Sequence, residues 1–534
     1  MYDTIIIGSG ISGLFTLKHL IEEGNTNVLV LDKNPEPFGV WNRENHPCVY
    51  ENTHTVSSKL YMTISDFPLE SAEFPHHSVI LKYYKAYASH FKLYPYLRQN
   101  ITVETIRKDK HWIVKTSDTA YECRHVVIAT GTVNDCPNIP EDEFYRNFTG
   151  LSLHSDQFDR IKHLEGKNIL IIGGSDTAVD SAIELSRKNK VTVSIKNGVW
   201  FQSRILGAYE PADMLYSRAF NFIFKNVTSK KYVDDNTNSN VPNNIQFWWG
   251  ERGSGIDIWQ SKCDYLNSYY VKSREIIEYI SKGIITPQNK VVHIDKNQVT
   301  FATGDTDNFD VILFCTGYKP LKCMRFLEES IVQSRKYKHI FYPKDPSIMF
   351  CGFIRPYLTS IPMLSELQSR WIAKVICKKL TLPSVDAMEK EITRDDLRQQ
   401  NEFPCAYERL KTIVDPYDYA NGIATRIGAH YSLSMLFTDP GLFYKIIFSS
   451  WNHVVFRLND PRTHSMAVKS IESVFEEGTS KRLRGYTNHL IVYYLSILIG
   501  FGIFLYLLYS KFQKNIPRIK VSKKGRFSMK RNYR

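Results

Sequence analysis

The chain has 534 residues, more than one hydrophobic core usually supports, so two or three domains are expected. A hydrophobic content of 43% excludes both a disordered chain and a polytopic membrane protein. The formal charge of +13 does not mark a nucleic-acid binder: Ser510 to Arg534 holds ten Lys or Arg and no acid, leaving 58 basic against 55 acidic residues elsewhere, about +3.

In chain order, Met1 to Asp3 leads straight into a strand, Thr4 to Ile7, too short an apolar run for a secretory signal core. Gly8-Ser9-Gly10-Ile11-Ser12-Gly13 then opens a helical pattern (Leu14, Leu17, Leu20, Ile21), and Asn27 to Leu31 forms a second strand ending on Asp32. Strand, GxGxxG, helix, strand and acid in that order predict a dinucleotide site. Gly8 permits the tight turn, Gly10 lets backbone approach a pyrophosphate, and Gly13 packs helix on strand, while the helix N-terminus attracts the anion. Asp32 is expected to accept from a ribose hydroxyl.

A second turn repeats the plan: strand Asn168 to Ile172, Gly173-Gly174-Ser175-Asp176-Thr177-Ala178, a helix through Leu185, and a strand Val191 to Ile195. Lys196 follows that strand instead of an acid, and a cation there suits the 2'-phosphate of NADP over NAD. Ser175 and Ala178 replace two of the three glycines, so an ordinary βαβ unit is the alternative. Val126 to Gly131 (VVIATG) and Val311 to Tyr318 (VILFCTGY) each read as an apolar strand closing on Thr-Gly, where the chain returns to the first nucleotide unit. One turn then holds a flavin dinucleotide while the other admits and releases a nicotinamide donor, as a flavoprotein reductase half-reaction requires.

Nine cysteines form no CxxC and no metal-ligand spacing, which excludes a thioredoxin-reductase type enzyme and predicts structural thiols in a reduced, cytosol-facing body with no metal. His54, His76 and His77 have no evident partner and read as surface or satisfied histidines. Of the segment from Arg204 to Lys282, VDDNTNSNVPNN (233–244) reads as a solvated loop, and WWGERGSGIDIW (248–259) as either channel lining or packing. Leu490 to Tyr509 runs twenty residues without a charge, the length of a membrane-crossing helix, with tyrosines toward its ends. Lys481, Arg482 and Arg484 precede it and the basic tail follows, so the positive-inside rule gives no orientation, and an interfacial helix is the alternative. The tail attracts anionic lipid headgroups or stays solvated.

Between the nucleotide units, FTGLSLHSDQF places Phe148, Gly150, His154 and Phe158 at the spacing FxGxxxHxxxF. This closely resembles the fingerprint of the flavin-containing monooxygenases and their Baeyer-Villiger relatives. FGVW (38–41), SSKLYMTISDFP (57–68), CTGY (315–318) and SELQSRW (365–371) extend the resemblance, and TDPGLFYKIIFSSWNHVVFRLNDP (438–461) before an apolar C-terminus is similar to the membrane-bound animal-type enzymes. The resemblance implies an α/β fold with two Rossmann-like dinucleotide-binding domains, a helical C-terminal region and a C-terminal membrane helix. The corresponding division is 1–160 (FAD domain, first part), 161–320 (NADP domain with an insertion near 204–282), 321–480 (return to the FAD domain and helical region), 486–510 (anchor) and 511–534 (basic tail).

It further implies an FAD- and NADPH-dependent enzyme, membrane-anchored at the endoplasmic reticulum with a cytosol-facing body. NADPH reduces the flavin, O2 adds, and a flavin hydroperoxide oxidises a soft nitrogen or sulfur nucleophile of a small molecule. Ser9, Gly10, Ile11, Ser12, Gly13, Asp32, Val40 and Trp41 match the family's flavin contacts; Thr177, Ala178, Val179 and Asp180 match its NADP turn, beside Gly173. His154 is given a linker role between the domains. The family typically has an asparagine before the SSK, where this chain has Val56, and an arginine pair where it has Lys196-Asn197. An isopropyl group cannot donate a hydrogen bond, so Val56 is expected to shorten the life of the oxygenated flavin unless Thr55 and Ser57 substitute through backbone or hydroxyl groups. Two alternatives follow: an NADPH oxidase that releases hydrogen peroxide, and a non-catalytic membrane-tethered flavoprotein.

Overall fold

The computed structural model describes residues 1–44, 48–132, 136–206, 210–219, 221, 251–252, 259, 270–319, 322, 324–404 and 411–485. The anchor segment 486–510 and the tail 511–534 lie outside them, as does the loop 233–244. No described helix is long and apolar enough to cross a membrane.

The N-terminal apolar run forms strand β1 (Tyr2–Ile7), followed by helix α1 (Ile11–Glu22) and strand β2 (Val28–Leu31). Because side chains alternate along a strand, each apolar run feeds two cores. Ile6, Val28, Val30 and Val127 face one, Ile5, Ile7, Leu29, Leu31, Val126 and Ile128 the other. β1 pairs in parallel with β2 on one side and with β6 (Ala120–Ile128) on the other. β3 (Leu97–Arg98) extends the β2 edge, and β5 (Trp112–Thr116) and β4 (Val103–Lys108) continue antiparallel beyond β6, which β12 (Ile348–Phe350) also joins in parallel.

The second sheet is wholly parallel. Its order is β10 (Ile285–Gln288), β9 (Lys190–Ser194), β8 (Asn168–Ile172), β11 (Val311–Phe314) and β7 (Leu151–His154). Helix α2 (Asp176–Ser186) packs Ala178, Val179, Ala182 and Leu185 onto one face; the other is covered by Phe148 and an antiparallel sheet spanning 291–308. β12 belongs to the first sheet although it follows β11 in the chain, so the chain crosses back to that sheet after β11.

The helical part begins with α3 (Ile361–Ile376), whose Ser360 N-cap and Pro362 in the first turn fix its start. Leu364, Leu367 and Trp371 share a core with Leu14 and Leu17 of α1. α4 (Val385–Glu402) follows, then α5 (Met435–Thr438), α6 (Pro440–Phe448) and α7 (His464–Gly485).

Candidate active site

The C-terminal ends of β1, β2 and β6 open on a cleft of ≈ 750 Å³, lined by Ile7, Leu31 and Ala129 at the strand ends. The glycine turn forms its floor. Gly8 has φ +106°, and a Cβ there meets the Ala129 carbonyl at 2.6 Å; a Cβ on Gly13 meets the Gly8 carbonyl at 2.0 Å. Neither position accepts a side chain. Gly10 caps α1 without a side-chain hydrogen bond, and a Cβ there meets only Gly39 Cα at 3.9 Å. The first amides of α1 are thus left for an anion, over a floor that is bare backbone. Lys33, Lys272, Lys322, Arg325 and Arg355 line the same cleft with one acid, Asp32. This donor set fits a dinucleotide pyrophosphate.

Asp32 is 8% exposed and its oxygens are turned onto the loop: Oδ2 accepts from Ser9 N at 2.6 Å and Ser9 Oγ at 2.8 Å, and Oδ1 from Asn34 N at 2.9 Å. In this structure it is first a clamp on the glycine turn, with the expected ribose contact additional to that. Gly8, Gly10, Ile11, Ser12, Asp32, Val40, Trp41, Thr55, Val56 and Ser57 all line the cleft, whereas Ser9 and Gly13 support it from behind.

The segment carrying Val56 is held from three directions. Thr55 Oγ1 donates to the Ser57 carbonyl at 2.7 Å, Ser57 Oγ to the Thr359 carbonyl at 3.1 Å, and Ser58 N to Asp213 Oδ2 at 2.7 Å. Asp213 is buried, and that burial raises its pKa, opposed by Lys272 and the Ser58 hydrogen bonds. Thr359 has φ +77°, a conformation that β-branched residues rarely adopt, and its buried hydroxyl has no partner among the described residues. Sequence reading missed Asp213, Thr359 and Lys272.

At the second turn, Gly173 has φ +143° and a Cβ there meets the Cys315 carbonyl at 2.3 Å, while one on Gly174 meets Ile195 Cγ2 at 3.0 Å. Ser175 caps α2 without a side-chain bond. Ala178 and Val179 are buried against the sheet and offer a nucleotide no side chain; Thr177 and Asp180 stay partly accessible. Asp176 Oδ1 accepts from Lys272 N at 2.7 Å, and Ser273 Oγ reaches Asp180 Oδ1 at 3.4 Å. Burial and then the neighbouring Asp176 charge raise Asp180 to about 6. Lys196 is exposed, outside the cleft lining, and no ion pair ties it to a described residue. Lys272 therefore links the turns: its backbone holds α2 and its side chain lines the first cleft.

His154 is 1% exposed; Nε2 lies 3.0 Å from the Gly317 carbonyl, and Nδ1 3.1 Å from Asp156 Oδ1. It ties the end of β7 to the CTGY segment. Phe158 packs on Tyr50 with ring centroids 4.5 Å apart. His76 caps a helix, accepting from Ser78 N at 3.4 Å, and His54 bonds the Asn52 carbonyl at 3.0 Å, so both are satisfied locally. Trp259 is buried with its indole donating to the Gln288 carbonyl at 2.8 Å, which makes it packing; Trp248 and Trp249 lie outside the described residues.

One expectation is corrected. Cys136, on the cleft wall, is disulfide-bonded, whereas Cys48, Cys123, Cys315, Cys351 and Cys377 are free thiols. Its partner is none of these five. Pairing between cysteines distant in sequence leaves no spacing signature.

Three tracts noted in the sequence meet in a buried ionic network. Arg457 bonds Asp66 Oδ2 at 2.9 Å, Glu366 Oε1 at 2.7 Å and Ser65 Oγ at 2.6 Å; His453 Nε2 lies 2.7 Å from Glu366 Oε2; Lys18 of α1 pairs with Asp66. Burial alone pushes the Glu366 carboxyl up, but His453 and Arg457 hold it well below its usual range. The network fastens the 57–68 segment, and with it Val56, to α1, α3 and the 438–461 tract.

Residues 3–497 match the family model described as flavin-binding monooxygenase-like. The N-oxide-forming dimethylaniline monooxygenase 2 of Oryctolagus cuniculus is 29% identical over 538 residues, covering 94% of this chain and 98% of the relative. Among solved structures, S-allyl-L-cysteine S-oxygenase from Allium sativum has a TM-score of 0.56 at 18% identity, covering 89% of this chain and 98% of its own. OTEMO in complex with FAD and NADP has a TM-score of 0.58 at 13% identity, covering 75% and 91%. The last two are likenesses of fold. With a family match over nearly its whole length and a cleft built for a dinucleotide, the chain belongs to the flavin-binding monooxygenase-like family and is a flavin-dependent monooxygenase.

Proposed function

We propose that the chain uses FAD and NADPH to insert one oxygen atom of O2 into a soft nitrogen or sulfur nucleophile. The observation that carries this reading is the pair of glycine turns, one clamped by Asp32 and one without an acid after its strand, joined through Lys272. The names of two of the similar proteins, one N-oxide-forming and one an S-oxygenase, support the substrate class.

Bound flavin supplies the two-electron chemistry and the activation of oxygen. This chain's residues bind, orient and exclude water. The α1 amides and the cleft cations would hold the pyrophosphate; Phe38, Trp41, Met62 and Pro362 give an apolar wall; Thr359 and Asp213 fix the segment that presents Thr55, Val56 and Ser57. On this reading Val56 and Ser57, which line the cleft, would face the flavin's reacting part. Lys196 sits free at the second turn to meet the 2'-phosphate as a single point charge.

The second reading is an NADPH oxidase that releases hydrogen peroxide, favoured by one fact: Val56 brings no donor to the cleft. We further propose an anchor at 486–510 with the basic tail 511–534 on anionic lipid, and a cytosol-facing body at the endoplasmic reticulum. The test of coupling follows NADPH oxidation by FAD-loaded protein with a tertiary amine or thioether, quantifying peroxide and oxygenated product together. Product matching NADPH is expected. Peroxide matching NADPH with every nucleophile tried would instead establish the oxidase, and Val56→Asn should then shift the balance toward product.

A further inference from the structure

The cations that line the cleft are divided between its two ends. Lys33, Lys322 and Arg325 gather beside Asp32 and the lining residues Ile101, Thr102 and Val103. The Asp32 carbonyl accepts from Ile101 N at 2.8 Å, the Phe326 carbonyl next to Arg325 accepts from Ile106 N of β4 at 2.6 Å, and Arg325 Nε donates to the Lys322 carbonyl at 3.2 Å. Lys272 stands at the other end, with Thr55, Val56, Ser57 and Thr359. Its neighbour there is Asp213, whose Oδ2 holds Ser58 N; burial raises the Asp213 carboxyl, and the Lys272 charge opposes that rise most strongly. Arg355 shares this end, but Lys272 is also held by the second glycine turn.

Backbone alternation sets where Lys272 reaches. Val271 donates its amide to the Trp200 carbonyl at 2.9 Å and accepts Gln202 N at 2.8 Å, which lays it alongside Phe201 as a parallel bridge. Successive side chains on such backbone face opposite ways. Val271 and Ser273 are buried in the second nucleotide unit, and Lys272 between them is half-buried and turns to the first cleft. Its amide is fixed by Oδ1 of Asp176, the first residue of α2, at 2.7 Å. No ion pair within the described residues ties down its ammonium. Reduction adds negative charge to a flavin ring, so a cation beside the ring binds the reduced form more tightly than the oxidised one and raises the potential.

We infer that Lys272 tunes the flavin, its ammonium favouring the reduced ring, and that Asp176 is its positioning residue, so that the second glycine turn sets a charge felt in the first cleft. This rests on the placement of the ring at Val56 and Ser57 proposed above, and the test separates the two. A change at α2 then reaches the flavin without touching it.

The test is the two-electron midpoint potential of the FAD-loaded protein, measured anaerobically against reference dyes, with flavin retained per chain after desalting as the check on folding. Lys272→Met should lower the ratio of reduced to oxidised FAD affinity roughly tenfold, a fall of about 30 mV, while Lys272→Arg stays near wild type. Lys272→Gln reads the same loss of charge if the Met variant fails to retain flavin. Asp176→Asn keeps an acceptor for the Lys272 amide and should not lower the potential; Asp176→Leu removes it and should move the potential toward that of Lys272→Met. A rise or no change in Asp176→Leu overturns the positioning role, because a carboxylate acting on the flavin directly raises the potential when it is removed. Lys272→Met at the wild-type potential overturns the inference. If Arg325→Met lowers the potential in its place, the ring lies at the other end of the cleft and the placement at Val56 falls as well.

Discussion

The two glycine turns share a plan and differ in what closes them. At the first, two glycines lie against backbone carbonyls, and Asp32 reaches back across 23 positions to hold Ser9 by both its amide and its hydroxyl. At the second, the clamp is missing. Gly173 does lie against the Cys315 carbonyl, but Gly174 faces the Ile195 side chain, Asp176 and Asp180 sit in the first turns of α2, and Lys196 is exposed. A turn bonded to itself pre-organises the cleft for a resident cofactor. One that is open and carries two raised carboxyls suits a nucleotide that enters and leaves at each turnover.

The strongest way to break this contrast is to crowd each turn equally. Gly13→Ala places a methyl 2.0 Å from a carbonyl that cannot give, and should abolish FAD retention; Gly174→Ala, opposite a side-chain methyl, should change the NADPH KM only about 2–5-fold. Flavin absorbance after desalting and initial-rate kinetics check the pair. Equal loss from both would mean that the turns are alike.

Next comes the network that braces only the flavin side. Arg457→Met leaves Glu366 and Asp66 buried without their shared cation, and should destabilise the fold by about 3–5 kcal/mol in a denaturant titration. Unchanged stability would show that the network is dispensable.

Third, the two residues that follow the strands should separate the nucleotides. Asp32→Ala releases Ser9 and should weaken FAD about 10–100-fold with little effect on NADPH, while Lys196→Ala should raise the NADPH KM about 2–5-fold and leave the NADH KM alone. Titration calorimetry and rates with both donors read this directly.

The smallest effect is on pH. Asp180 in the folded protein stands at about 6, above the ~3.9 of an unfolded chain, so the fold binds its proton more tightly. That contribution to stability is full below ~3.9 and is lost as pH rises through about 6. Asp180→Asn should therefore melt higher than wild type at pH 8, with the difference fading toward pH 4, by on the order of 1–2 kcal/mol. A pH-independent difference would contradict the raised carboxyl.

What was legible in the sequence was local. Gly8 and Gly13 could be read because a tight turn and a close helix-strand approach exclude a side chain whatever the rest of the fold does, and TIII, VLVL and NILII read as strands buried on both faces. The position of Asp32 was readable, but its grip on Ser9 was not. Asp213 reaches Ser58 over 155 positions and Thr359 meets Ser57 over 302, so no spacing rule could pair them. The tracts 57–68, 365–371 and 438–461 were recognised by resemblance, but their common purpose, a charge network across nearly 400 positions, appears only once folding brings Ser65 to Arg457. The Cys136 disulfide was hidden for the same reason.

The central claim is that the first turn keeps a flavin which a nicotinamide donor at the second turn reduces. The direct measurement is to mix FAD-loaded protein anaerobically with NADPH, follow the oxidised-flavin absorbance, and then admit O2 with a tertiary amine. The account predicts that NADPH bleaches the flavin faster than NADH does and that oxygenated amine appears in proportion to NADPH consumed. A protein that retains FAD but is not reduced by either donor would contradict it.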